Sequence, residues 1–291
     1  MQQRLLQYFQ GKSGRIKLVR LFLFALLCFY VALNPAVVLA YFEFRPIKVK
    51  QYLPDEPRYN RSEISMKGPE DSRLSAWYFK NPQARYTVLI HHGQAGNLSH
   101  YLESAHAFYD AGASVLLYDY SGYGKSNGQP SNKQLLQDAE TAYQFLTVEL
   151  NTPKEQIVQA AISMGHGSAY SLARNHPIKA MVLVSPYKSL ESVWRLRLPY
   201  LNCYPSFCFP APDLACNDLF QCKAFPVLMF HASDDPILPV EQADEIYREC
   251  RGQKTFYRGP MGGHLGCLTA GARQDPNSAT ALCARFLTSL N

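Results

Sequence analysis

A serine in the middle of the chain lies in a context that suits a nucleophile. The heptapeptide AISMGHG, residues 161–167, follows an apolar run typical of a strand and precedes a run with helical spacing. A tight turn between strand and helix would raise the hydroxyl of Ser163 above the sheet, and the small Ala161 and Gly165 let such a turn close. The backbone N–H of Met164 would then lie at a helix N-terminus, where partial positive charge favours a developing oxyanion. Taken alone, the motif also fits an ordinary strand–helix turn.

A second glycine-rich turn could supply another oxyanion donor. The segment HHGQAGN, residues 91–97, directly follows an apolar run that ends at Ile90. Such a turn can present a backbone N–H, here that of Gln94, to the same oxyanion. The alternative is a structural turn that carries a packing histidine.

An acid and a base that could complete the site come later in the chain. The segment HASDDPILP, residues 231–239, follows an apolar run, and a carboxylate at the C-terminal end of a strand can reach the active edge of a sheet. The glycines before His264 would let its loop fold back over that edge. Asp234 and Asp235 are adjacent, and successive residues of an extended loop point to opposite sides, so only one can readily meet the imidazole.

The order serine, aspartate, histidine, each after a separate strand, predicts nucleophilic catalysis. His264 would take the proton of Ser163 as the serine attacks an acyl carbonyl, and the aspartate would hold the ring. Water activated by His264 would then clear the acyl-enzyme. This chemistry requires no metal and no organic cofactor.

The elements that must position these residues alternate along the chain. This alternation predicts an α/β fold with a mainly parallel sheet and helices on both faces. The predicted strands are Tyr86–Ile90, Ala113–Tyr118, Ile157–Ile162, Ala180–Val184, Pro226–Phe230 and Thr255–Tyr257, and the predicted helices are Asn132–Leu150, Gly165–Asn175, Val240–Cys250 and Ala279–Leu290. Between about 187 and 223 the alternation stops, and the many aromatic, proline and cysteine residues there predict a cap over the site. A long surface loop is the alternative.

Four cysteines lie close together within the predicted cap, namely Cys203, Cys208, Cys216 and Cys222. Zinc sites usually show pairs two to four residues apart, often with paired histidines, and this cluster holds no histidine. We therefore expect at least one disulfide among the four, with free thiols or a metal site as alternatives.

The N-terminal segment predicts a membrane anchor. Residues 1–20 carry five basic and no acidic side chains, and residues 21–42 form an uncharged apolar run about as long as a spanning helix. The flanking charge favours a single-pass protein whose body, residues 43–291, lies on the non-cytoplasmic side, with residues 43–62 as a tether. A cleaved signal followed by secretion is the alternative, because Asn34-Pro35 breaks the run and small residues follow it.

The formal net charge of +6 does not indicate a nucleic-acid partner. Five of the basic residues lie in residues 1–20, and the remaining 24 basic and 23 acidic residues nearly cancel. A body of balanced charge offers no surface that tracks phosphates, so nucleic-acid binding is set aside.

Three further segments resemble one known family. HGQAGN at 92–97, YDYSGYGKS at 118–126 and SPYKSL at 185–190 are similar to the BEM46-like α/β hydrolases, which include acyl-protein thioesterases. The resemblance covers about residues 75–290 and implies an α/β-hydrolase sheet, hydrolysis of acyl esters or thioesters, and often an N-terminal membrane segment. The family pattern His-Gly-x-x-Asp-x-x-Val-Pro selects Asp235 as the orienting acid. The chain departs from the family pattern at Ala161 and Ala232, where the family has glycine, and in its cysteine-rich cap.

The sequence therefore predicts a serine hydrolase with Ser163, His264 and Asp235 as catalytic residues. The expected substrate is a small acyl ester or thioester, including lipids, and the oxyanion donors are the N–H groups of Gln94 and Met164. Two alternatives stay open: a serine peptidase on the same fold, and a membrane-tethered binding protein without activity.

Overall fold

The computed structural model describes residues 12–48, 56–68, 71–259, 262–266, 268 and 278–290. Ten strands lie within these ranges. They are β1 (Arg45–Pro46), β2 (Arg61–Lys67), β3 (Arg73–Phe79), β4 (Thr87–His91), β5 (Ala95–Gly96), β6 (Ser114–Tyr118), β7 (Ile157–Ile162), β8 (Ala180–Val184), β9 (Val227–Ala232) and β10 (Lys254–Gly259).

Eight of these strands form one sheet in the order β10–β9–β8–β7–β4–β6–β3–β2. Neighbouring strands from β10 to β6 are parallel, whereas β3 is antiparallel to both β6 and β2. Strands β4, β6, β7 and β8 are buried along their whole length, as expected for parallel strands covered on both faces. The predicted α/β fold with a mainly parallel sheet is confirmed. The short strands β1 and β5 pair in parallel as a second, two-stranded sheet.

Helices cover both faces of the sheet. The α-helices within the described ranges are α1 (Lys12–Ala32), α2 (Pro35–Phe42), α3 (Leu102–Asp110), α4 (Asn132–Gln144), α5 (His166–Asn175), α6 (Leu190–Arg197), α7 (Leu219–Cys222), α8 (Glu241–Glu249), α9 (Gly263–Gly266) and α10 (Ala279–Ser289). Because successive strand residues point to opposite faces, Val88 and Ile90 pack in the cluster that includes α3 and α10, whereas Leu89 packs in the cluster that includes α4.

Helix α4 illustrates how the sequence pattern sets these layers. Ser131 caps it by accepting the N–H of Gln134 at 3.1 Å, and its buried face includes Leu135, Ala139 and Ala142 at helical spacing. The α-helix ends at Gln144 and continues as a π-helical turn, Phe145–Glu149, instead of reaching Leu150 as one regular helix.

The structure does not support the predicted membrane anchor at residues 21–42. In the part of the chain that the structure describes, no helix combines the length and apolarity needed to cross a bilayer. Asn34 ends the run as the N-cap of α2, and its side chain accepts the N–H of Ala36 at 2.9 Å. The uncharged portion of α1 is left with only about three turns. In α2, Leu39 is fully buried among cap residues that include Leu201 and Tyr204.

The predicted disulfide within the cap is also wrong, because all four cysteines of the cluster are free thiols. They lie in different surroundings. Cys208 packs with Leu201 and Phe209, Cys216 packs in a separate cluster with Phe220, and the thiols of Cys203 and Cys222 are exposed. The cap itself consists of α6, two short 3-10 helices (Pro199–Cys203 and Ser206–Cys208) and α7.

Candidate active site

Ser163 lies where β7 passes into α5 through a single 3-10 turn, Ser163–Gly165. Its φ of 51° is in the left-handed region, which non-glycine residues rarely adopt and which often marks functional sites. The turn closes because Gly165 has no side chain, since a Cβ there would lie 2.1 Å from the carbonyl oxygen of His91. The strained turn presents the Ser163 side chain at the C-terminal edge of the sheet.

Three side chains from separate loops meet at this edge. Nε2 of His264 lies 2.7 Å from Oγ of Ser163, and Nδ1 of the same ring lies 2.8 Å from Oδ2 of Asp235. His264 is on α9 after β10, and Asp235 follows β9. These distances allow the imidazole to receive the serine proton while the carboxylate fixes the ring and its tautomer.

Asp235 is held as a carboxylate although its side chain is only 1% exposed. Its Oδ1 accepts the backbone N–H groups of Ile237 at 2.8 Å and Leu238 at 3.0 Å, and its Oδ2 lies 3.3 Å from Nε2 of His231. Burial alone would raise the pKa of Asp235, but the donors His231, His264 and Leu238 outweigh burial and hold that pKa well below its usual range. The negative charge facing His264 is therefore present at neutral pH.

Gln94 and Met164 line a small chamber of about 50 Å³ that also includes Ser163. The peptide carbonyl of Gln94 accepts the hydroxyl of Tyr123 at 2.6 Å, and its side-chain amide donates to the carbonyl oxygen of Glu43 at 2.9 Å. The carbonyl of Met164 accepts the hydroxyl of Tyr187 at 3.2 Å. Both backbone segments predicted to carry oxyanion donors are thus anchored beside the serine.

Three other histidines lie buried around the site. His91, His92 and His166 are completely buried, and burial lowers their pKa to about 4, about 3 and about 3 respectively. The Nδ1–H group of His166 donates a hydrogen bond to the carbonyl oxygen of Ser163, underneath the turn. These rings are therefore neutral at physiological pH and belong to the packing of the site.

Two side chains outside the predicted catalytic set, Ser185 and Asp234, hold the backbone around His264. Ser185 donates its hydroxyl to the carbonyl oxygen of His264 at 2.8 Å. Asp234 accepts the N–H groups of Gly262 at 3.4 Å and Gly263 at 2.9 Å. Ser185 directly follows β8 and has a φ of 49°, so its position at the end of a strand was the available signal.

A cavity of about 490 Å³ opens above Ser163 and His264, a volume in the range of small-molecule sites. The cap contributes Trp194 and Leu198 to its wall, and the loops and α9 add Tyr101, Ile237 and Leu265. Two arginines, Arg45 and Arg197, complete the lining. Across the described ranges, no three His, Cys, Asp or Glu side chains are grouped in a way that could hold a metal ion.

Comparisons with known proteins agree with this architecture. The family profile described as serine aminopeptidase, S33 matches residues 82–202, which include Ser163. An uncharacterized protein of Mycobacterium tuberculosis is 29% identical over 204 residues, covering 69% of this chain and 72% of that protein. The human alpha/beta hydrolase domain-containing protein 17C is 30% identical over 187 residues, which cover 62% of this chain but only about half, 53%, of that protein.

Solved structures share the fold at low sequence identity. An esterase of Pyrococcus furiosus superposes with a TM-score of 0.68 and 18% identity, covering 85% of this chain and 98% of the esterase. The protein Est1E of Butyrivibrio proteoclasticus, solved with ferulic acid, has a TM-score of 0.58 and 17% identity, covering 78% of this chain and 98% of Est1E. With its sheet order and its turn at Ser163, the chain has the α/β-hydrolase fold, and its sequence is similar to that of these relatives.

Proposed function

We propose that this hydrolase is a serine esterase or thioesterase that works through an acyl-enzyme on Ser163. The observation that carries the proposal is the continuous set of contacts from Oγ of Ser163 to His264 at 2.7 Å and from His264 to Asp235 at 2.8 Å. A nucleophile, a base and an orienting carboxylate in this order form the arrangement that activates a serine hydroxyl.

The mechanism follows from these contacts. His264 accepts the proton of Ser163 as Oγ forms a bond to the acyl carbon, and Asp235 stabilises the imidazolium. The N–H groups of Gln94 and Met164 bind the oxyanion, and His264 returns the proton to the departing alcohol or thiol. A water molecule, deprotonated by His264, then attacks the acyl carbon and releases the carboxylic acid and free Ser163.

The wall of the cavity supports acyl compounds as substrates. Trp194, Leu198, Ile237 and Leu265 offer apolar surface, which an acyl chain can cover without burying polar groups. The structurally similar protein of Pyrococcus furiosus is described as an esterase, which agrees with this substrate class.

A peptidase is the second candidate, because the matching family profile is described as a serine aminopeptidase. An aminopeptidase must bind the ammonium group of its substrate. The charged side chains Arg45 and Arg197 in the cavity would repel that group. The carboxyl of Glu43 in the adjoining chamber is buried, and burial raises its pKa to about 7, so it is a weak partner for an ammonium at neutral pH. The charged side chains around the cavity therefore favour an ester substrate over a peptide with a free ammonium group.

Labelling with a fluorophosphonate probe tests the nucleophile. We expect the probe to modify Ser163 in the wild-type protein and to leave Ser163→Ala unmodified. A chain-length series of p-nitrophenyl esters and acyl thioesters, beside aminoacyl p-nitroanilides, then tests the substrate class. Labelling that persists in Ser163→Ala, or cleavage of the anilides alone, would contradict the proposal.

A further inference from the structure

Two guanidinium groups from distant parts of the chain line the cavity that contains Ser163 and His264. Arg45 lies on β1, where its backbone N–H donates to the carbonyl oxygen of Gln94 at 3.3 Å. Arg197 is the last residue of α6 in the cap. The N-terminal segment and the cap thus each contribute one cation to the mouth of the site.

Among the described residues, no ion pair explains the position of either guanidinium. Within the part of the chain that the structure describes, Arg45 and Arg197 form no ion pair with a carboxylate. Arg195, two residues earlier on the same helix, shows the contrast, because it pairs with Glu191 at 2.7 Å and donates to the carbonyl oxygen of Leu201 at 2.7 Å. A structural role therefore explains Arg195 but not the two arginines of the cavity.

Among the described residues, no acidic side chain lies in the wall of the cavity to balance these two cations. The carboxyl in the adjoining chamber, Glu43, is 3% exposed, and burial raises its pKa to about 7, so it is only about half ionised at neutral pH. The charge of Asp235 is engaged by its own donors, among them His264 and the N–H of Leu238. Arg45 and Arg197 are therefore the cationic side chains that the described wall presents to a ligand, and they attract anions.

We propose that the substrate is an acyl ester or thioester that carries an anionic group, a carboxylate or a phosphate, bound by Arg45 and Arg197. Guanidinium groups bind carboxylates and phosphates through paired, charge-assisted hydrogen bonds. The proposal rests on the proposed hydrolase function and adds the charge of the substrate. Binding the anion at the mouth would hold the scissile carbonyl between Ser163 and the oxyanion donors.

Pairs of substrates that differ by one anionic group test this inference on the full chain. One pair carries the charge in the acyl group, namely the p-nitrophenyl monoester of glutaric acid and p-nitrophenyl valerate. The other carries it in the leaving group, namely 1-butyrylglycerol 3-phosphate and 1-butyrylglycerol. We expect kcat/KM to be about tenfold higher for the anionic member of at least one pair, with the preference falling as salt is added.

Variants of the two arginines test whether these side chains cause the preference for anionic substrates. Arg45→Gln and Arg197→Gln should each lower the ratio of anionic to neutral kcat/KM about threefold, and the double variant should abolish it. Arg251→Gln is the matched control, because Arg251 is exposed before β10, at the opposite edge of the sheet, and should keep the wild-type ratio.

The outcomes separate this inference from the function on which it rests. Hydrolysis of the neutral esters that depends on Ser163, without a preference for either anionic partner, would overturn the inference and leave the hydrolase proposal standing. A preference that survives in the double variant would also overturn it. If no ester of either pair is hydrolysed and Ser163 is not labelled, the proposed function fails and the inference fails with it.

Discussion

Asp234 and Asp235 bind the loop that carries His264 at two different points. Oδ2 of Asp235 lies 2.8 Å from Nδ1 of His264, whereas Oδ1 of Asp234 accepts the backbone N–H of Gly263 at 2.9 Å. The side chain of Asp235 is almost completely buried, while Asp234 is exposed. One carboxylate thus contacts the ring, and its neighbour in sequence holds the backbone in front of that ring.

This division of contacts predicts different effects for the two aspartates. Asp235→Asn should lower kcat for ester hydrolysis about 10⁴-fold, because an amide can stabilise the wrong tautomer of His264 and cannot balance its positive charge. Asp234→Asn keeps an oxygen that can accept the N–H of Gly263, so it should cost about tenfold or less. Steady-state kinetics measures kcat for both variants, and thermal melting curves show whether both are folded. The reverse order would mean that Asp234 is the orienting acid.

The order of strands explains why these residues could be found from the sequence. Ser163, Asp235 and His264 each follow a strand of one parallel sheet, and the C-terminal ends of parallel strands lie along the same edge. The apolar runs locate most of those strands within one or two residues, and β7 and β8 coincide with their predictions. Their catalytic roles stay predictions, although the structure brings all three side chains within hydrogen-bond distance.

The parts of the site that the sequence analysis missed come from segments without a strand–helix pattern. Glu43 and Arg45 lie in the stretch interpreted as a tether, and no local pattern shows that this stretch packs beside Gln94. Arg197 belongs to the cap, whose path depends on tertiary contacts. The length of the N-terminal apolar run was counted across Asn34, whereas in the structure the first helix ends at Ala32 and Asn34 caps α2.

The turn at Ser163 should not tolerate a methyl group at Gly165. A Cβ there would lie 2.1 Å from the carbonyl oxygen of His91, so Gly165→Ala must displace backbone in the centre of the sheet. We expect a loss of about 2 kcal/mol or more in the free energy of unfolding, together with loss of fluorophosphonate labelling. Gly266→Ala is the matched control, because a Cβ at that position meets none of the described atoms within 4 Å. Equal melting curves for the two variants would contradict the close approach at Gly165.

The cysteines of the cap should react according to their exposure and not as disulfide partners. Cys203 and Cys222 are exposed and should be alkylated by iodoacetamide in the native, unreduced protein, whereas Cys208 and Cys216 are buried and should react only after unfolding. Burial also raises the pKa of Cys216 to about 12, which leaves little reactive thiolate. Mass mapping without a reductant measures both groups. Fragments joined by a bond between any two of the four would contradict the free thiols.

The stability of the protein should depend on pH through Glu43. Its side chain is buried beside the site, and burial raises its pKa from 4.5 to about 7. Below pH 4.5 the carboxyl is protonated in both the folded and unfolded states, so its ionisation does not change the free energy of unfolding. Between pH 4.5 and 7 the unfolded chain releases the proton while the folded chain retains it, so the free energy of unfolding falls as pH rises through this window.

A glutamine at position 43 should remove this dependence, because an amide does not ionise. Relative to the wild type, Glu43→Gln should gain up to about 3 kcal/mol of stability between pH 4.5 and pH 8.5, with most of the gain complete by pH 7. Asp119, whose pKa burial also raises to about 7, remains in both proteins, so the comparison isolates Glu43. Denaturant unfolding across this pH range measures the difference, with the exposed Glu155→Gln as control for the loss of one carboxylate. A difference between Glu43→Gln and wild type that stays constant with pH, or that shrinks as pH rises, would show that Glu43 is ionised in the folded protein well below pH 7.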